Sequence, residues 1–251
     1  MFCNLVNRYP TELFVYMDDI LIATKDDLKC HRQIVDDILE LLAKESYILW
    51  PLKCVFEQTQ IAYLGLIVDG DKLSIDPIKA NGLKDWPRTL TKVKEVQSVL
   101  GVLGYQRSFI PNYATIARPL TELTKKNHTF SWTLQCQQAL DMLINIVLSD
   151  PSLCQPDPNK PFSLQVDTLA FSTGAIITQN HHRGKAEAVG FHSKTFLEVG
   201  QNYDIHDCEL LALVHSLTNW HHLLMGFPHP ITVYTNHKTL KYYCHSQHIN
   251  Q

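Results

Sequence analysis

Asp18 and Asp19 stand side by side between two apolar runs, Leu13-Phe14-Val15-Tyr16 and Ile20-Leu21-Ile22. Adjacent carboxylates on a tight hairpin repel each other unless a divalent cation lies between them, and such a cation is what phosphoryl transfer with two magnesium ions requires. The plain alternative is an acidic turn, because Asp is a favoured turn residue. A second set of acids is spread over the C-terminal part. Asp167 ends an alternating run in which Phe162, Leu164 and Val166 face one way, and Glu209 lies near the start of a helical stretch. Ile231-Thr232-Val233-Tyr234-Thr235 delivers Asn236 to a strand end.

The elements that must carry these residues follow from hydrophobic periodicity. After the hairpin, Leu28, Val35, Ile38, Leu39 and Leu42 share one helical face over residues 25–44, with Thr24 and Asp27 reading as a capping box. Cys54-Val55-Phe56 and the run 61–68 read as short strands, and Asp69-Gly70-Asp71 turns into Leu73-Ser74-Ile75. Helices take over beyond Asp76-Pro77: residues 78–86, then 93–105 with Val96, Val99, Leu100 and Leu103 apolar, and later 135–148. The turn-rich stretches Asp150-Pro151 and 157–161 mark a break. From Phe162 onward three strand candidates (162–167, 174–178, 188–193) precede a helix over 205–225, with Leu210, Val214, Leu217 and Leu224 on one face, and a last strand at 231–235. The expected class is α+β followed by α/β, with segments 1–76, 77–150 and 151–251.

Composition sets limits on the chemistry. At 251 residues and 45% hydrophobic, the chain can bury more than one core. Its seven cysteines form no CxxC pair, which points to reduced thiols and an intracellular, cytoplasmic or nuclear, non-secreted protein. No apolar run reaches bilayer-spanning length, so no membrane partner is expected. The net charge of -3 does not demand nucleic acid. Only residues 86–150 are basic, with seven Lys/Arg against four Asp/Glu.

Several strings together resemble the reverse transcriptase and ribonuclease H parts of gypsy-type LTR retrotransposon polyproteins, in the same order. Tyr16-Met17-Asp18-Asp19 is similar to the palm signature. Tyr63-Leu64-Gly65 is similar to the element that holds the primer's 3′ end, with a buried strand as the plain alternative. The run 100–111 resembles the thumb string, with Gln106 replacing one of its basic residues. Gln165-Val166-Asp167, Cys208-Glu209-Leu210-Leu211-Ala212 and the run 233–242 resemble the nuclease, whose pattern has aspartate where this chain has Asn236.

The resemblance implies a partial palm, a helical thumb and connection, and an incomplete ribonuclease H-like domain. It implies RNA-directed DNA synthesis and cleavage of RNA in RNA-DNA hybrids as the family activity. Asp18, Asp19, Asp167 and Glu209 are the implied catalytic and Mg²⁺-binding residues. Tyr16, Met17, Leu64, Gly65 and Arg107 are the implied substrate contacts, and Lys92 and Lys94 join Arg107 as candidate phosphate contacts. A solvated helix face explains those three charges equally well.

Asn offers one carbonyl and no charge, so Asp167 and Glu209 are expected to hold two metals poorly. The family's first palm acid and fingers are expected before residue 1, where Met1–Leu5 would open inside a palm helix, and its fourth nuclease acid after Gln251. This chain alone is therefore expected to be inactive, with Mg²⁺ weakly held or absent. The expected partners are an RNA-DNA hybrid or DNA duplex, held weakly, and the remaining pol segments. The alternative is a non-catalytic relic that binds nucleic acid or protein. Eleven of thirteen histidines follow residue 180. Only Cys244, His245 and His248 approach zinc-ligand spacing, with surface histidines as the alternative. Lys238 and Lys241 are similarly open to a backbone contact or a solvated helix start.

Overall fold

The computed structural model describes residues 8–25, 27–126, 128–169, 171–180, 185–196 and 205–235. Asn236, Lys238, Lys241 and the Cys244–His248 group lie outside them, as does the segment 1–5. The chain forms two compact units, 1–70 and 71–251.

In the first unit, β1 (Leu13–Tyr16) and β2 (Asp19–Ile22) form an antiparallel hairpin with Tyr16 opposite Asp19. Leu13 on the hairpin is buried against Ile34, Ile38 and Leu42 of α1 (Leu28–Lys44), with Val15, Ile20 and Ile22 packed alongside. The helix begins three residues later than its periodicity suggests. Asp27 is itself the N-cap and accepts from the Cys30 amide at 2.9 Å, while the Thr24 hydroxyl pairs with His31 Nδ1 at 3.1 Å. No capping box forms, and Leu28 is exposed in the first turn. Residues 54–56 are not a strand: a 3-10 turn at Pro51–Lys53 runs into irregular chain.

The run 61–68 is two strands, β3 (Gln60–Tyr63) and β4 (Leu66–Asp69), with Tyr63 opposite Leu66. Leu64 and Gly65, the two residues between them, have φ of 49° and 75°. Positive φ at both central positions is the type I′ pattern that matches strand twist. The buried-strand alternative for Tyr63-Leu64-Gly65 therefore fails, because these residues are a hairpin tip.

The second unit opens with β5 (Lys72–Ile75) and α2 (Pro77–Asn81), which is shorter than the expected helix over 78–86. Then come α3 (Val93–Tyr105), a 3-10 turn at Arg107–Phe109, α4 (Tyr113–Ile116), α5 (Arg118–Glu122) and α6 (Leu134–Leu148). The Glu95 carboxylate accepts from the Thr91 and Lys92 amides ahead of α3, satisfying donors that a helix start leaves open. Val96, Val99, Leu103, Leu120, Leu140, Leu143 and Ile144 are fully buried among these helices.

β6 (Ser152–Cys154) pairs antiparallel with β5, and a four-stranded sheet follows in the order β10-β7-β8-β9. Its strands are β7 (Phe162–Leu169), β8 (Ser172–Asn180), β9 (Ala186–Thr195) and β10 (Thr232–Thr235), the last parallel to β7. The helix α7 (Ile205–Asn219) packs on β7 and β8, and α8 (His221–Leu224) follows Trp220.

Residues 71–251 form one compact unit. The reasons are specific. β5 and β6 hydrogen-bond across the intervening helices. Gln179 pins the turn-rich loop by donating to the Asp157 and Lys160 carbonyls and accepting from the Asp157 amide. Residues 112–118 lie on the sheet: the Ala114 amide donates to Ser193 Oγ at 2.8 Å, Thr115 and Ser172 hydroxyls pair at 2.7 Å, and Arg118 sits 3.8 Å over the Phe171 ring.

The buried face of α7 also differs from the expected stripe. Glu209, Ala212 and Ser216 are buried, whereas Leu210 and Val214 are 40% and 49% exposed. Apolar residues occupy both sides of this helix: Ala212 joins the sheet cluster with Leu213 and Leu217 packed against it, while Leu210 and Val214 face outward.

Candidate functional site

Asp18 and Asp19 sit at the tip and first paired position of the β1–β2 hairpin, both exposed. The loop is Met17-Asp18. Met17 has φ of 51° while Asp18 does not share a positive φ, which is the type II′ pattern. That first position is normally glycine, so holding methionine there costs on the order of 1–3 kcal/mol, the type of backbone strain found at functional sites. Met17 is 81% exposed and Tyr16 54% exposed. Both therefore present side chains to solvent beside the acids.

Tyr63 reaches the same hairpin from β3. Its hydroxyl donates to the Phe14 carbonyl at 3.5 Å. Burial raises its pKa, and the negative charge of Asp19 raises it further. The acid pair and the Leu64-Gly65 tip, 45 or so residues apart in sequence, thus belong to one local assembly within the first unit.

In the second unit, Glu209 is 4% exposed, and both of its carboxylate oxygens are occupied. Thr168 donates to Oε1 at 2.6 Å and Thr235 to Oε2 at 3.0 Å. Asp167 precedes Thr168 on β7, and side chains alternate across a strand. Phe162, Leu164 and Val166 are buried in the cluster that includes Ala212 of α7, and Thr168 continues that face. Asp167 therefore points to the opposite face, where it is exposed. The fold brings Thr235 level with Val166, so the three stretches singled out in the sequence do meet.

Sequence reasoning missed Thr168 and Thr235. Thr168 follows Asp167 and Thr235 precedes Asn236 in the sequence, but only the fold shows that both converge on the Glu209 carboxylate.

No three His, Cys, Asp or Glu side chains come together as a metal site among the described residues. Magnesium takes near-octahedral oxygen coordination from carboxylates whose lone pairs are open. Glu209 accepts one hydroxyl on each oxygen, which leaves a lone pair on each and sets the two threonines in competition with a cation. Asp18 and Asp19 have open oxygens and could contribute to a site completed by ligands from beyond the described residues.

Arg107, exposed, opens the 3-10 turn after α3, whereas Lys92 and Lys94 lie exposed at the helix start. A helix of this length separates the two ends by roughly 20 Å. The three basic residues are thus not one patch. Gln106 is 3% exposed, and its Oε1 is buried without a partner.

Residues 1–68 match the family model described as reverse transcriptase (RNA-dependent DNA polymerase), and residues 132–233 match that of an RNase H-like domain found in reverse transcriptase. The chain is 31% identical over 225 residues to the transposon Tf2-3 polyprotein of Schizosaccharomyces pombe and 30% identical to the Tf2-7 polyprotein of the same organism. Each alignment covers 90% of this chain and 17% of the relative, so the chain spans about one sixth of those polyproteins. Among solved structures, the fold is similar to foamy viral protease-reverse transcriptase dRH in complex with double-stranded DNA, with TM-score 0.81 at 20% identity over 98% of this chain and 42% of that one. It is also similar to foamy viral protease-reverse transcriptase in complex with RNA/DNA hybrid, with TM-score 0.79 at 21% identity, covering 96% and 32% respectively.

Proposed function

We propose that this chain, whose residues 1–68 and 132–233 match the reverse transcriptase and RNase H-like models, serves to hold a nucleic-acid duplex within a larger pol product and does not itself cut RNA. The observation that carries this reading is the state of Glu209. Both of its oxygens accept threonine hydroxyls, and Asp167 lies on the other face of the sheet. Each threonine hydroxyl competes with a cation for Glu209, and Asn236 adds no charge to help.

In the first unit the reading is different. Asp18 and Asp19 remain open to solvent on a strained hairpin, with Tyr63 beside it, an arrangement suited to presenting two carboxylates to Mg²⁺ and a primer end. Tyr16, Met17, Leu64 and Gly65 are the contacts to that end. A third acid from another pol segment would complete the metal set. Asp18 and Asp19 would hold Mg²⁺, which when bound would supply Lewis-acid activation of the primer hydroxyl and charge stabilisation of the pyrophosphate leaving group. The residues of this chain would contribute the positions of those ions and of the primer.

The second reading is a non-catalytic relic that binds nucleic acid or protein. It is favoured by the lack of any convergent third metal ligand near the acid pair among the described residues.

The test is to give the chain a labelled RNA-DNA hybrid with Mg²⁺ or Mn²⁺ and score binding, cleavage and primer extension. Binding without cleavage is expected. Cleavage abolished by Asp167→Ala would overturn the nuclease part of the proposal. Extension that appears only when preceding pol segments are supplied, and is lost in Asp18→Ala, separates the first reading from the relic.

A further inference from the structure

A cleft of about 180 Å³ in the second unit is lined by none of the acids described above. The 3-10 turn after α3 gives it Arg107 and Ser108, β9 gives His192 and Ser193, and the end of α7 gives Asn219 and Trp220. Such a volume is below the several hundred Å³ of a cofactor or drug-sized site. It suits a single small group with its nearest waters.

Beside the aromatic Tyr105, Phe191 and Trp220, the lining carries several donors. Arg107 brings a planar fork of N–H groups, Ser108 a hydroxyl and Asn219 an amide. Ser193 Oγ accepts from the Ala114 amide, which leaves its own hydrogen available to donate. No Asp or Glu lines the cleft. His192 Nε2 is buried there with no hydrogen-bond partner, its ring edge-on to Trp220 at 5.9 Å. A buried unpaired polar atom costs about 1–3 kcal/mol and calls for an explanation.

We propose that this cleft binds a phosphate group, supplied by the backbone of a nucleic-acid strand. The proposal rests on the duplex-holding reading above and deepens it. A phosphate oxygen would accept from the Arg107 guanidinium in the charge-assisted geometry for which that group is suited, and a small rotation of the His192 ring would bring its buried Nε2–H to a second oxygen.

The charge balance points the same way. The titratable and charged groups facing His192 are Arg107 from the turn, Lys194 from its own strand and His215 from α7. Lys194 Nζ lies 3.4 Å from His215 Nε2. Burial chiefly, then these three neighbours, hold His192 down to about 4. Arg107 lines the cleft, Lys194 lies close enough to His192 to act on it, and no acid is among the lining, so the local charge favours an anion. Sequence inspection singled out Arg107, but nothing in the sequence linked it to residues 192, 193 and 219.

The experiment uses the full chain with a fluorescein-labelled RNA-DNA hybrid in anisotropy titrations over a salt series, and inorganic phosphate titrated against the ¹⁵N-labelled histidine side chains. The variants are Arg107→Gln, His192→Asn and Lys79→Gln, the last an equal loss of charge at an exposed position on α2. Support is a several-fold weaker Kd for Arg107→Gln and His192→Asn than for Lys79→Gln, with the log-log salt slope of Arg107→Gln reduced by about 0.9.

Hybrid binding that the two cleft variants leave equal to Lys79→Gln would overturn the phosphate site while leaving the duplex-holding reading intact. No hybrid binding, together with a His192 resonance shift by phosphate that Arg107→Gln removes, would support the site with free phosphate as its source and overturn the duplex-holding reading. Neither hybrid binding nor a resonance shift would overturn both.

Discussion

The Thr168 hydroxyl donates to Glu209 Oε1 at 2.6 Å, joining the strand that carries Asp167 to the helix that carries Glu209. Because the carboxylate is almost fully buried, this bond has a structural role that can be measured.

Thr168→Val removes the donor and leaves a buried carboxylate oxygen unpaired. Hydrogen bonds to charged groups contribute about 1.5–3 kcal/mol, so a loss of that size is expected in urea unfolding. An unchanged midpoint would mean that Glu209 is not held in the manner described.

Gly65 has φ of 75° at the second position of the β3–β4 turn. A Cβ in the left-handed region costs about 1–2 kcal/mol, so Gly65→Ala should weaken the hairpin by that amount. Amide hydrogen exchange at residues 60–69 is the direct measurement. Faster exchange there, with little change in the sheet of the second unit, is expected.

A Cβ added at Gly174 would collide with Asn112 Oδ1, and Asn112 itself has φ of 53°. Gly174→Ala should therefore destabilise the wild type more than it destabilises an Asn112→Gly background, where the obstructing amide is gone and positive φ is easily adopted. Neighbouring sites of this kind are non-additive by roughly 0.5 kcal/mol or more. Strict additivity in a double-mutant cycle would place the two residues apart.

His192 is held at about 4, mainly by burial, against an ordinary 6.5. For a base whose folded value is lowered, the unfolded chain takes up the proton first. The stability contributed by neutral His192 is thus complete above pH 6.5, is lost as pH falls toward 4, and changes no further below that. His192→Asn should flatten this part of the stability profile, read as a smaller difference between urea midpoints at pH 7 and pH 4.5 than in the wild type.

Burial pushes the Cys154 thiol up to about 11, with Glu187 and Asp71 adding to the effect. The thiolate is the reactive form. Iodoacetamide at pH 8 should therefore spare Cys154 in the native chain and modify it after denaturation, as mass spectrometry of the digested protein would reveal.

Much of the framework could be read from residue order. Alternation and an acidic turn gave β1 and β2, and apolar spacing gave α1, α3 and α6 to within a few residues. The strands at 162, 174 and 188 were also placed, each somewhat short. What escaped had local causes. Leu64 is not a turn former, so a continuous apolar run hid a two-residue turn that φ values of 49° and 75° make plain. On α7, leucine and valine occupy both sides, and hydrophobicity alone cannot tell which side a sheet will cover. The strand at Ser152–Cys154 lies in a Pro-rich stretch and forms because β5, 80 residues earlier, offers an antiparallel partner.

At the acids, residue order identified the stretches that meet but not how their side chains face. Strand alternation puts Thr168, rather than Asp167, on Glu209. That outcome depends on which face of β7 the apolar residues claim. Phe162, Leu164 and Val166 settle it together.

The pairing of Lys72–Ser74 with Ser152–Cys154 has a practical consequence for dissecting the chain. A polypeptide ended at 150, where the proline-rich stretch invites a cut, would strip β5 of that neighbour and expose a ladder of unpaired amides and carbonyls. Such an edge recruits other strands, so the shortened product would tend to self-associate and precipitate even though every helix it needs is present.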